Sequence, residues 1–514
     1  MNDKVFLLLV GCVMGLVTSL PVSPSLQIHL PGMNEVDKNT KSVIKEILKH
    51  SQPATKSESS EVPEGTFSKI MAVNKDSETP MHGGDMLVRT GRSAINCTSC
   101  LWPKKEDGTV AVPYIISSSY SSSAVNTIKN AMDEFATLTC VRFVPRKEEK
   151  DYLNIAAGDS CSSFVGKIGG SQTVSLGAGC VYRGIVEHEL DHALGFYHEH
   201  TRSDRDSYVD IFFQFISKGT RNIFVKVNTN NQGLEYDYGS VMHYDGYAFS
   251  NTSKQPTIVP KPDPTVPIGQ RNGLSILDVS KINKLYQCNV CASLLNNQNG
   301  VFTSANYPSP YPNNASCVWL IRTPSGQASL TFNGFDVQST PDCTSDYVRI
   351  YDGPTKDSPV LLDKQCGSKS IPQLIASTSQ MLVEFVSDGD VAGVGFKATY
   401  SSVKCGGTFF NFQQNFTSPG YPGNYGPNMD CTFTITAPVG YRIALTISDF
   451  HIEDADFCMY DSLKIYVDGR QKGPLCGDIS IPEITSIGNS MVLVFHSDSY
   501  VEKKGFQAYY TFCK

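Results

Sequence analysis

The stretch HELDHALGFYHEH, residues 188–200, has the residue types and the spacing of a metal site. His188 and His192 are four residues apart, so on a helix both imidazoles face one side, a turn apart. Gly195 permits a left-handed turn that brings His198 towards the same ion. Three neutral imidazoles suit zinc and leave one coordination position for water. The spacing therefore predicts a catalytic zinc site.

Glu189, beside the first predicted ligand, is the candidate acid–base group. A carboxylate there can take a proton from water and pass it to a leaving amine, which is peptide-bond hydrolysis without a covalent intermediate. His200 lies outside the ligand spacing, and we expect an exposed neighbour. The alternative, a histidine-rich helix without a metal, is disfavoured because the extra Gly and third His make a chance match far rarer than HExxH alone.

Apolar periodicity predicts the elements that position these residues. Between Val125 and Phe135 apolar side chains recur at helical spacing, and a β-branched strand follows at 140–144. The segment GIVEHELDHAL has its own apolar stripe, so we expect a helix that ends at Gly195.

Length and composition describe a soluble chain of several domains. The 514 residues suggest about three or four units. Hydrophobic residues make up 40% and charged residues 18%, and the net charge of -7 provides no basic surface for nucleic acid. We therefore expect no nucleic-acid partner.

The N-terminus, MNDKVFLLLVGCVMGLVTSLPVS, predicts export. Its apolar run is short for a membrane span and typical of a secretory signal peptide, assigned to residues 1–19. Residues 20–92 are then a propeptide, because Arg92 followed by small residues looks like a processing site for an activating protease. No other long apolar run follows, so we expect no membrane span in the mature chain.

A secreted location also suits the cysteines and the sequons. One of the 16 cysteines lies in the predicted signal peptide, and disulfides are the default for the others in an oxidising compartment. The candidate glycosylation sites are Asn96, Asn251, Asn314 and Asn415. We therefore expect a secreted, extracellular glycoprotein.

The C-terminal part of the chain contains an internal repeat. Four cysteines recur in order: Cys291, Cys317, Cys343 and Cys366, then Cys405, Cys431, Cys458 and Cys476. Other short motifs recur at matching positions in the two repeats, such as DYVRIYDG and DSLKIYVDG. Alternating apolar and polar residues between turn residues predict two tandem β-sandwiches of antiparallel strands, each about 110 residues long.

HELDHALGFYHEHTRSDRD is similar to the astacin signature HExxHxxGxxHExxRxDRD, and GSVMHY at 239–244 resembles that family's Met-turn. The resemblance covers 93–288 and implies an α+β zincin (metzincin) fold with zinc endopeptidase activity. It implies that Met242 is structural and that Tyr244 is a further zinc ligand that swings away to stabilise the tetrahedral intermediate. It places Glu199 near the buried mature N-terminus.

The same resemblance implies latency. Astacin propeptides carry an FxGD motif whose Asp takes the place of water on zinc, and here the residues read HGGD, ending at Asp85. His82 stands where the motif has Phe, so the anchoring differs. We expect Asp85 to be the zinc ligand of the zymogen.

Disulfide pairs in the predicted protease domain also follow from the family pattern. They are Cys140 with Cys288, Cys161 with Cys180 and, as in hatching-type astacins, Cys97 with Cys100.

The two repeats, 291–401 and 405–514, resemble CUB domains. The implied pairs are Cys291 with Cys317, Cys343 with Cys366, Cys405 with Cys431 and Cys458 with Cys476. Cys513 remains, either unpaired or joining two chains.

Many CUB domains bind calcium through one Glu and two Asp, which are hard oxygen ligands. The second repeat has this set, Glu453, Asp461 and Asp498. The first repeat keeps Asp346 and Asp388 but has Gln338 in place of the Glu. Solvated loop carboxylates without an ion are the alternative for both repeats.

An astacin domain followed directly by two CUB domains looks like the arrangement of amphibian hatching enzymes. It implies a secreted protease whose CUB domains hold it on egg-envelope glycoproteins. One alternative is tolloid-like processing of matrix or growth-factor precursors. Another is an extracellular binding protein with a vestigial protease domain, although intact His188, Glu189, His192, His198 and Tyr244 speak against it.

Overall fold

The computed structural model describes residues 66–87, 98–252, 255–270 and 272–514. The predicted signal peptide, the processing site at Arg92, Asn96 and Cys97 lie outside the described residues. Within them the chain forms an N-terminal α+β domain followed by two β-sandwiches. None of the described helices has the length and apolarity that a membrane crossing requires.

The described residues of the α+β domain form four α-helices and nine strands. The helices are α1 Thr66–Asn74, α2 Ser122–Leu138, α3 Arg183–Leu194 and α4 Ile276–Leu285. The strands are β1 Met81–His82, β2 Met86–Leu87, β3 Val110–Ile116, β4 Val141–Pro145, β5 Tyr152–Ala156, β6 Cys161–Ser163, β7 Ser171–Leu176, β8 Val209–Ile211 and β9 Ile258–Pro260. Short 3-10 turns lie at Thr98–Cys100, Glu199–Thr201, Arg205–Ser207, Phe213–Phe215 and Lys218–Phe224.

Seven strands form one sheet in the order β1-β2-β6-β7-β5-β3-β4, and β8 pairs with β9 separately. The central strands β3, β4, β5 and β7 are parallel, whereas β6 runs antiparallel to β7. The segment 66–87 extends this sheet through β1 and β2, since Met86 pairs with Ser163 of β6. The predicted propeptide is therefore built into the protease domain.

The two long helices form where the apolar pattern predicts them. Helix α2 begins after Ser121, whose side chain accepts a hydrogen bond from the amide of Ala124, a common N-cap. Its buried face includes Ile128 and Phe135. Helix α3 is buried from Gly184 to Leu194, so it is a central helix and not an amphipathic surface helix.

Each sandwich contains two sheets, and each sheet of the first sandwich has a counterpart with the same strand order in the second. The first consists of β10 Cys291–Leu295, β11 Asn299–Thr303, β12 Ser316–Arg322, β13 Gln327–Val337, β14 Tyr347–Tyr351, β15 Val360–Gln365, β16 Gly367–Ser368, β17 Leu374–Ile375, β18 Gln380–Val386 and β19 Gly395–Val403. The second consists of β20 Gly406–Phe409, β21 Gln413–Thr417, β22 Asp430–Thr436, β23 Arg442–Ile452, β24 Ser462–Val467, β25 Arg470–Leu475, β26 Gly477–Asp478, β27 Ile484–Thr485, β28 Ser490–His496 and β29 Gly505–Cys513. Short 3-10 turns lie at Pro341–Cys343 and Asp456–Cys458.

The strand orders β10-β12-β18-β14-β15 and β20-β22-β28-β24-β25 are equivalent, and so are β11-β19-β13-β16 and β21-β29-β23-β26. This confirms the internal repeat. The strands pair antiparallel as predicted, except that β10 runs parallel to β12 and β20 parallel to β22. Those first strands lie at sheet edges, and the strand that follows each of them in sequence, β11 or β21, belongs to the other sheet of its sandwich.

The described disulfides agree with the predicted pairing. They are Cys140–Cys288, Cys161–Cys180, Cys291–Cys317, Cys343–Cys366, Cys405–Cys431 and Cys458–Cys476. Cys100 is also disulfide-bonded, and its predicted partner, Cys97, lies outside the described residues. Cys513 is unpaired in the described part of the chain.

The first sandwich shares a hydrophobic core with the α+β domain. Five of its buried residues belong to the same cluster as α2, α3 and α4: Leu294, Val318, Leu320, Tyr351 and Leu382. Separate clusters fill the interiors of the two sandwiches. The outer face of one sheet of the first sandwich is therefore buried against the N-terminal domain.

Candidate active site

Helix α3 presents the first two histidines, and its C-terminal turn presents the third. Gly195 caps the helix with φ 115, in the left-handed region where a side chain would be strained, and its amide donates to the carbonyls of Asp191 and His192. The chain then turns back so that His198 faces His188 and His192. The predicted role of Gly195 is confirmed.

The three histidines converge on Asp85 of the predicted propeptide. The Nε2 atoms of His188 and His198 lie 3.0 Å and 3.1 Å from Asp85 Oδ2. His192 Nε2 lies 3.6 Å from Asp85 Oδ1. One ligand atom from each of the four residues lies within 4.8 Å of the others, and all four residues are buried.

Hydrogen bonds on the far side of two rings orient these nitrogens. His188 Nδ1 lies 2.9 Å from the carbonyl of Val241, and His192 Nδ1 lies 2.7 Å from that of Phe196. A carbonyl only accepts, so each Nδ1 donates its proton and each Nε2 presents a lone pair. Lone pairs that face a carboxylate repel each other unless a cation lies between them. Three imidazole nitrogens and one carboxylate oxygen fit zinc.

The protonation states favour the same conclusion. Burial lowers the pKa of His192, and it lowers the pKa of His198 to about 3, so both rings are neutral near pH 7. Neutral imidazoles and an ionised carboxylate are the forms that bind a metal.

Glu189 is fully buried, and neither of its carboxylate oxygens has a hydrogen-bond partner among the described residues. Burial, and then the charge of Asp85, raise the pKa of Glu189 well above its usual range. An unpaired buried carboxyl is costly, and a high pKa suits a group that takes up and returns a proton. The geometry is consistent with the predicted acid–base role.

Tyr244 is covered by the predicted propeptide. Its hydroxyl donates to the carbonyl of Gly83, and burial raises its pKa well above the usual range. The ring of Phe67 stacks on the Tyr244 ring, with centroids 3.4 Å apart and an interplanar angle of 17°. The sequence reasoning missed Phe67, because it lies 18 positions before Asp85 with no motif around it.

Asn74 and the two glycines of HGGD hold Asp85 in place, and the sequence analysis assigned a role to none of the three. Asn74 Nδ2 donates to the carbonyls of Gly84 and Cys161 at 2.8 Å and 2.7 Å. Gly83 and Gly84 have φ of 64 and 88, so the chain turns there in a conformation that glycine favours. The adjacent glycines before Asp85 were the one sequence signal for this turn.

Glu199 and Met242 lie behind the histidines. Glu199 accepts from Arg202 Nη1 at 3.1 Å, from Lys281 Nζ at 2.7 Å and from the amide of Asp237 at 2.8 Å. Its own amide donates to the buried Met242 carbonyl at 3.0 Å. A cavity of about 370 Å³ lies beside this cluster, lined by Cys100, Glu199 and Lys281 among others.

The expectation that His200 is an exposed neighbour was wrong. His200 is 0% exposed, and its ring lies 3.8 Å from the Tyr244 ring and 5.3 Å from the Phe224 ring. The 3-10 turn Glu199–Thr201 directs it under Tyr244, and this contact depends on residues far away in sequence. His200 does lie outside the four-residue metal group, as predicted.

The second sandwich brings its predicted carboxylates together. One oxygen from each of Glu453, Asp461 and Asp498 lies within 4.8 Å of the others. Asp461 accepts from Tyr425 Oη at 2.5 Å and from the amide of Asp498 at 2.8 Å. Glu453 Oε2 is buried without a partner in the described chain.

The first sandwich repeats this scaffold with one substitution. Asp346 accepts from Tyr311 Oη at 2.5 Å and from the amide of Asp388 at 2.8 Å. Gln338 takes the place of the Glu, and its Oε1 is likewise buried without a partner among the described residues. The donor set therefore has one carboxylate fewer than in the second sandwich.

Comparison with known proteins agrees with this architecture. Residues 98–287 match the family model described as Astacin, a peptidase family, and residues 291–400 and 405–510 match the CUB domain. The chain is 50% identical over 521 residues to embryonic protein UVS.2 of Xenopus laevis, covering 100% of both chains. It is 51% identical over 340 residues to the astacin-like metalloendopeptidase of Gallus gallus, covering 66% of this chain and 83% of the relative.

Among solved structures, high choriolytic enzyme 1 of Oryzias latipes, described as a hatching enzyme zinc-protease, is 48% identical. That match covers 38% of this chain and 100% of the other, with a TM-score of 0.37. On the family models and these relatives, one of which matches over the full length, this chain belongs to the astacin family and is a metalloendopeptidase with two CUB domains.

Proposed function

We propose that the protein is a secreted zinc endopeptidase, made as a zymogen in which Asp85 blocks the metal site. The observation that carries the proposal is the convergence of His188, His192 and His198 on the Asp85 carboxylate. The six described disulfides support an extracellular location, because disulfides persist in oxidising compartments.

In the mature enzyme one residue of the chain, Glu189, transfers protons, and another, Tyr244, stabilises the negative charge that develops on the substrate. Zinc held by the three histidines would supply Lewis acidity, which polarises the scissile carbonyl and makes water acidic near neutral pH. Glu189 accepts the proton of the attacking water and returns it to the leaving amine. Tyr244 donates its hydroxyl hydrogen to the oxygen that becomes negative as the carbonyl is attacked.

The propeptide occupies both parts of this machinery. Asp85 takes the metal position, Gly83 accepts the hydroxyl hydrogen of Tyr244, and Phe67 covers the Tyr244 ring. Removal of the propeptide after cleavage near Arg92 frees the metal position and Tyr244 together. We assign Glu199 to maturation, because its carboxylate faces the cavity next to Cys100, where the mature chain enters the domain.

Replacement of Glu189 by Gln tests the catalytic assignment. The trypsin-processed Glu189→Gln variant should lose gelatin hydrolysis by at least about a hundredfold, because the amide cannot accept the proton. Glu148→Gln, at an exposed glutamate of the same domain, should behave like the wild type. A metal chelator should abolish wild-type activity. Gelatin hydrolysis that survives Glu189→Gln would remove the catalytic role.

Replacement of Asp85 by Ala tests latency. The uncleaved Asp85→Ala chain should hydrolyse gelatin measurably, because the metal position loses its propeptide ligand. Asp76→Ala is the matched control, since the Asp76 side chain is 85% exposed in the same segment. An Asp85→Ala zymogen as silent as the wild type would contradict the switch.

The substrate class we propose is egg-envelope glycoprotein, held by the CUB domains. Support comes from the domain order and from the full-length match to a relative named as an embryonic protein. Processed protein should dissolve isolated egg envelopes, whereas Glu189→Gln should bind them without lysis. Failure to lyse envelopes, with gelatin activity intact, would refute this substrate and leave the endopeptidase assignment standing.

We also propose a calcium site at Glu453, Asp461 and Asp498 in the second CUB domain. Three carboxylates that share one point suit a hard cation. Burial raises the pKa of Glu453, and so do the charges of Asp461 and Asp498, so a bound cation would relieve their repulsion.

A further inference from the structure

Arg322, the last residue of β12, extends out of the first CUB domain into the protease domain. The residue is 5% exposed. One guanidinium nitrogen donates to the carboxylate of Glu134 on α2, and another donates to the carbonyl of Leu274. A guanidinium is buried only where charges and hydrogen bonds compensate its lost hydration. Here both partners belong to the protease domain.

The group that Arg322 meets contains two buried carboxylates. Glu134 is 1% exposed and Glu187 is 0% exposed. Arg183, whose side chain is 28% exposed, lies 3.7 Å from the first and 3.6 Å from the second. Without Arg322 this pair of buried carboxyl groups would have Arg183, whose side chain is partly exposed, as its cationic partner. The CUB domain therefore supplies the second positive charge of a buried four-residue cluster.

A loop connects Arg322 to Glu187. The amide of Leu274 donates to Glu187 Oε2 at 2.8 Å, while the carbonyl of the same residue accepts from Arg322. Gly273, with φ 113, leaves no room for a side chain, since a Cβ there would lie 2.4 Å from Glu187 Oε2 and 3.0 Å from Arg322 Nη1. Gly273 is thus closely packed against one side chain from each domain, Glu187 of the protease domain and Arg322 of the first CUB domain.

Glu187 is the residue immediately before His188 on α3. A shift of Glu187 would tilt the helix that carries two metal ligands and Glu189. The domain contact is also covalently restrained, because only two residues separate Cys288, bonded to Cys140, from Cys291, bonded to Cys317. The apolar surface of β12 and its neighbours is continuous with the protease core beside this cluster.

We propose that the first CUB domain is a structural part of the catalytic unit, and that its Arg322 is a positioning residue for the helix that carries His188, Glu189 and His192. The activity measurements below rest on the proposed function. The thermal measurement on the uncleaved chain does not, so an inactive wild type would count against the proposed function alone.

The experiment compares four full-length variants. Arg322→Met removes the charge and keeps the length, whereas Arg322→Lys keeps the charge. Arg322→Met with Glu134→Gln removes one charge of each sign. Arg349→Met is the control, because Arg349 lies in the same sheet but pairs with Asp363 of its own domain.

For Arg322→Met, kcat on a short peptide too small to reach the CUB domains should fall roughly tenfold to a hundredfold, with KM nearly unchanged, because misplaced groups affect the transition state. The uncleaved chain should melt several degrees lower. Arg322→Lys and the double variant should recover most of both properties, and Arg349→Met should match the wild type.

Two results would overturn the proposal. One is an Arg322→Met enzyme with the kcat and melting temperature of Arg349→Met. The other is a lowered melting temperature with unchanged kcat, which would make the contact merely structural. If Arg322→Met does not fold, the double variant decides, since it carries the compensated cluster: kcat near that of the wild type supports the proposal, and a kcat as low as predicted for Arg322→Met contradicts it.

Discussion

The two CUB domains have the same strand order but contact their surroundings differently. Cys317, Trp319 and Ile321 of β12 face the core of the first domain, as Cys431, Phe433 and Ile435 of β22 face that of the second. The opposite face of β12 carries Val318, Leu320 and Arg322, and the equivalent face of β22 carries Thr432, Thr434 and Thr436. Val318, Leu320 and Arg322 on the outer face of β12 are buried, whereas Tyr466 and His496 of the second domain's equivalent sheet remain exposed.

This difference shows that the two faces of one strand follow different requirements: one face fills the core of its own sandwich, and the other face depends on what the sandwich packs against. The inward residues are apolar in both repeats, because each sandwich needs a core. The outward residues differ, because among the described residues the protease core includes side chains of the first sandwich and none of the second. Copies of one fold have therefore taken different positions, one inside the catalytic unit and one beyond it.

The loops of the proposed calcium site also differ between the two domains. The second domain has three clustered carboxylates, and the first has Gln338 in place of Glu453 on an otherwise equivalent scaffold. The first CUB domain, which packs against the protease domain, thus has one carboxylate fewer at this position.

The largest expected effect tests the buried outer sheet. Leu320→Ala should lower the free energy of unfolding by about 2–5 kcal/mol, because it leaves a cavity between two domains. Thr434→Ala, at the equivalent position of the second domain, should cost about 1 kcal/mol, because Thr434, although 8% exposed, loses fewer atoms than Leu320 does. Denaturant unfolding of the uncleaved chain measures both. Equal losses would show that the first sheet is not packed against the protease domain.

A ligand exchange between the two domains sharpens the calcium comparison. Glu453→Gln should weaken calcium binding by at least about tenfold, or about 1.4 kcal/mol, because the site loses one negative charge. Gln338→Glu should create a second site, and the double variant should move binding to the first domain. Titration calorimetry counts the sites. Unchanged binding in Glu453→Gln would refute the assignment.

The smallest effect concerns a charge cluster that only the second domain has. A hydrogen bond to Asp478, and then the charge of Asp449, raise the pKa of His451 above its ordinary value of about 6.5. Asp336 takes the equivalent strand position in the first domain, opposite Gly395.

Because the folded-state pKa is raised, the contribution of His451 to stability is complete below the ordinary pKa and is lost as the pH rises through the raised value. NMR titration should give a pKa for His451 above that of a model histidine, and Asp478→Asn should lower it. The stability difference between wild type and His451→Asn should shrink over the same pH range. A pKa at the ordinary value would contradict the pairing.

Short-range patterns predicted most of the metal site. His188 and His192 share a helical face by spacing alone, and Gly195 signals the turn before His198. The role of Asp85 and the disulfide pairs came from family resemblance. Phe67 was not predicted, since its stacking on Tyr244 joins residues 177 positions apart that no local pattern connects.

His200 shows where such reasoning fails. Its neighbours in sequence predict a polar, solvated position, but the turn at Glu199–Thr201 buries it under Tyr244 and beside Phe224. Burial depends on the elements that pack over a residue, and these come from distant parts of the chain.

The sequence by itself determined the chemistry of the ligands, the C-terminal end of α3 and the repeat of two sandwiches, because spacing and alternation act over a few residues. Only the tertiary structure decided that Asp85 meets all three histidines and that Arg322 enters the protease domain beside Glu187. Those contacts join residues more than a hundred positions apart. They depend on the packing of whole domains, which balances apolar burial and buried charge, and no local pattern records that balance.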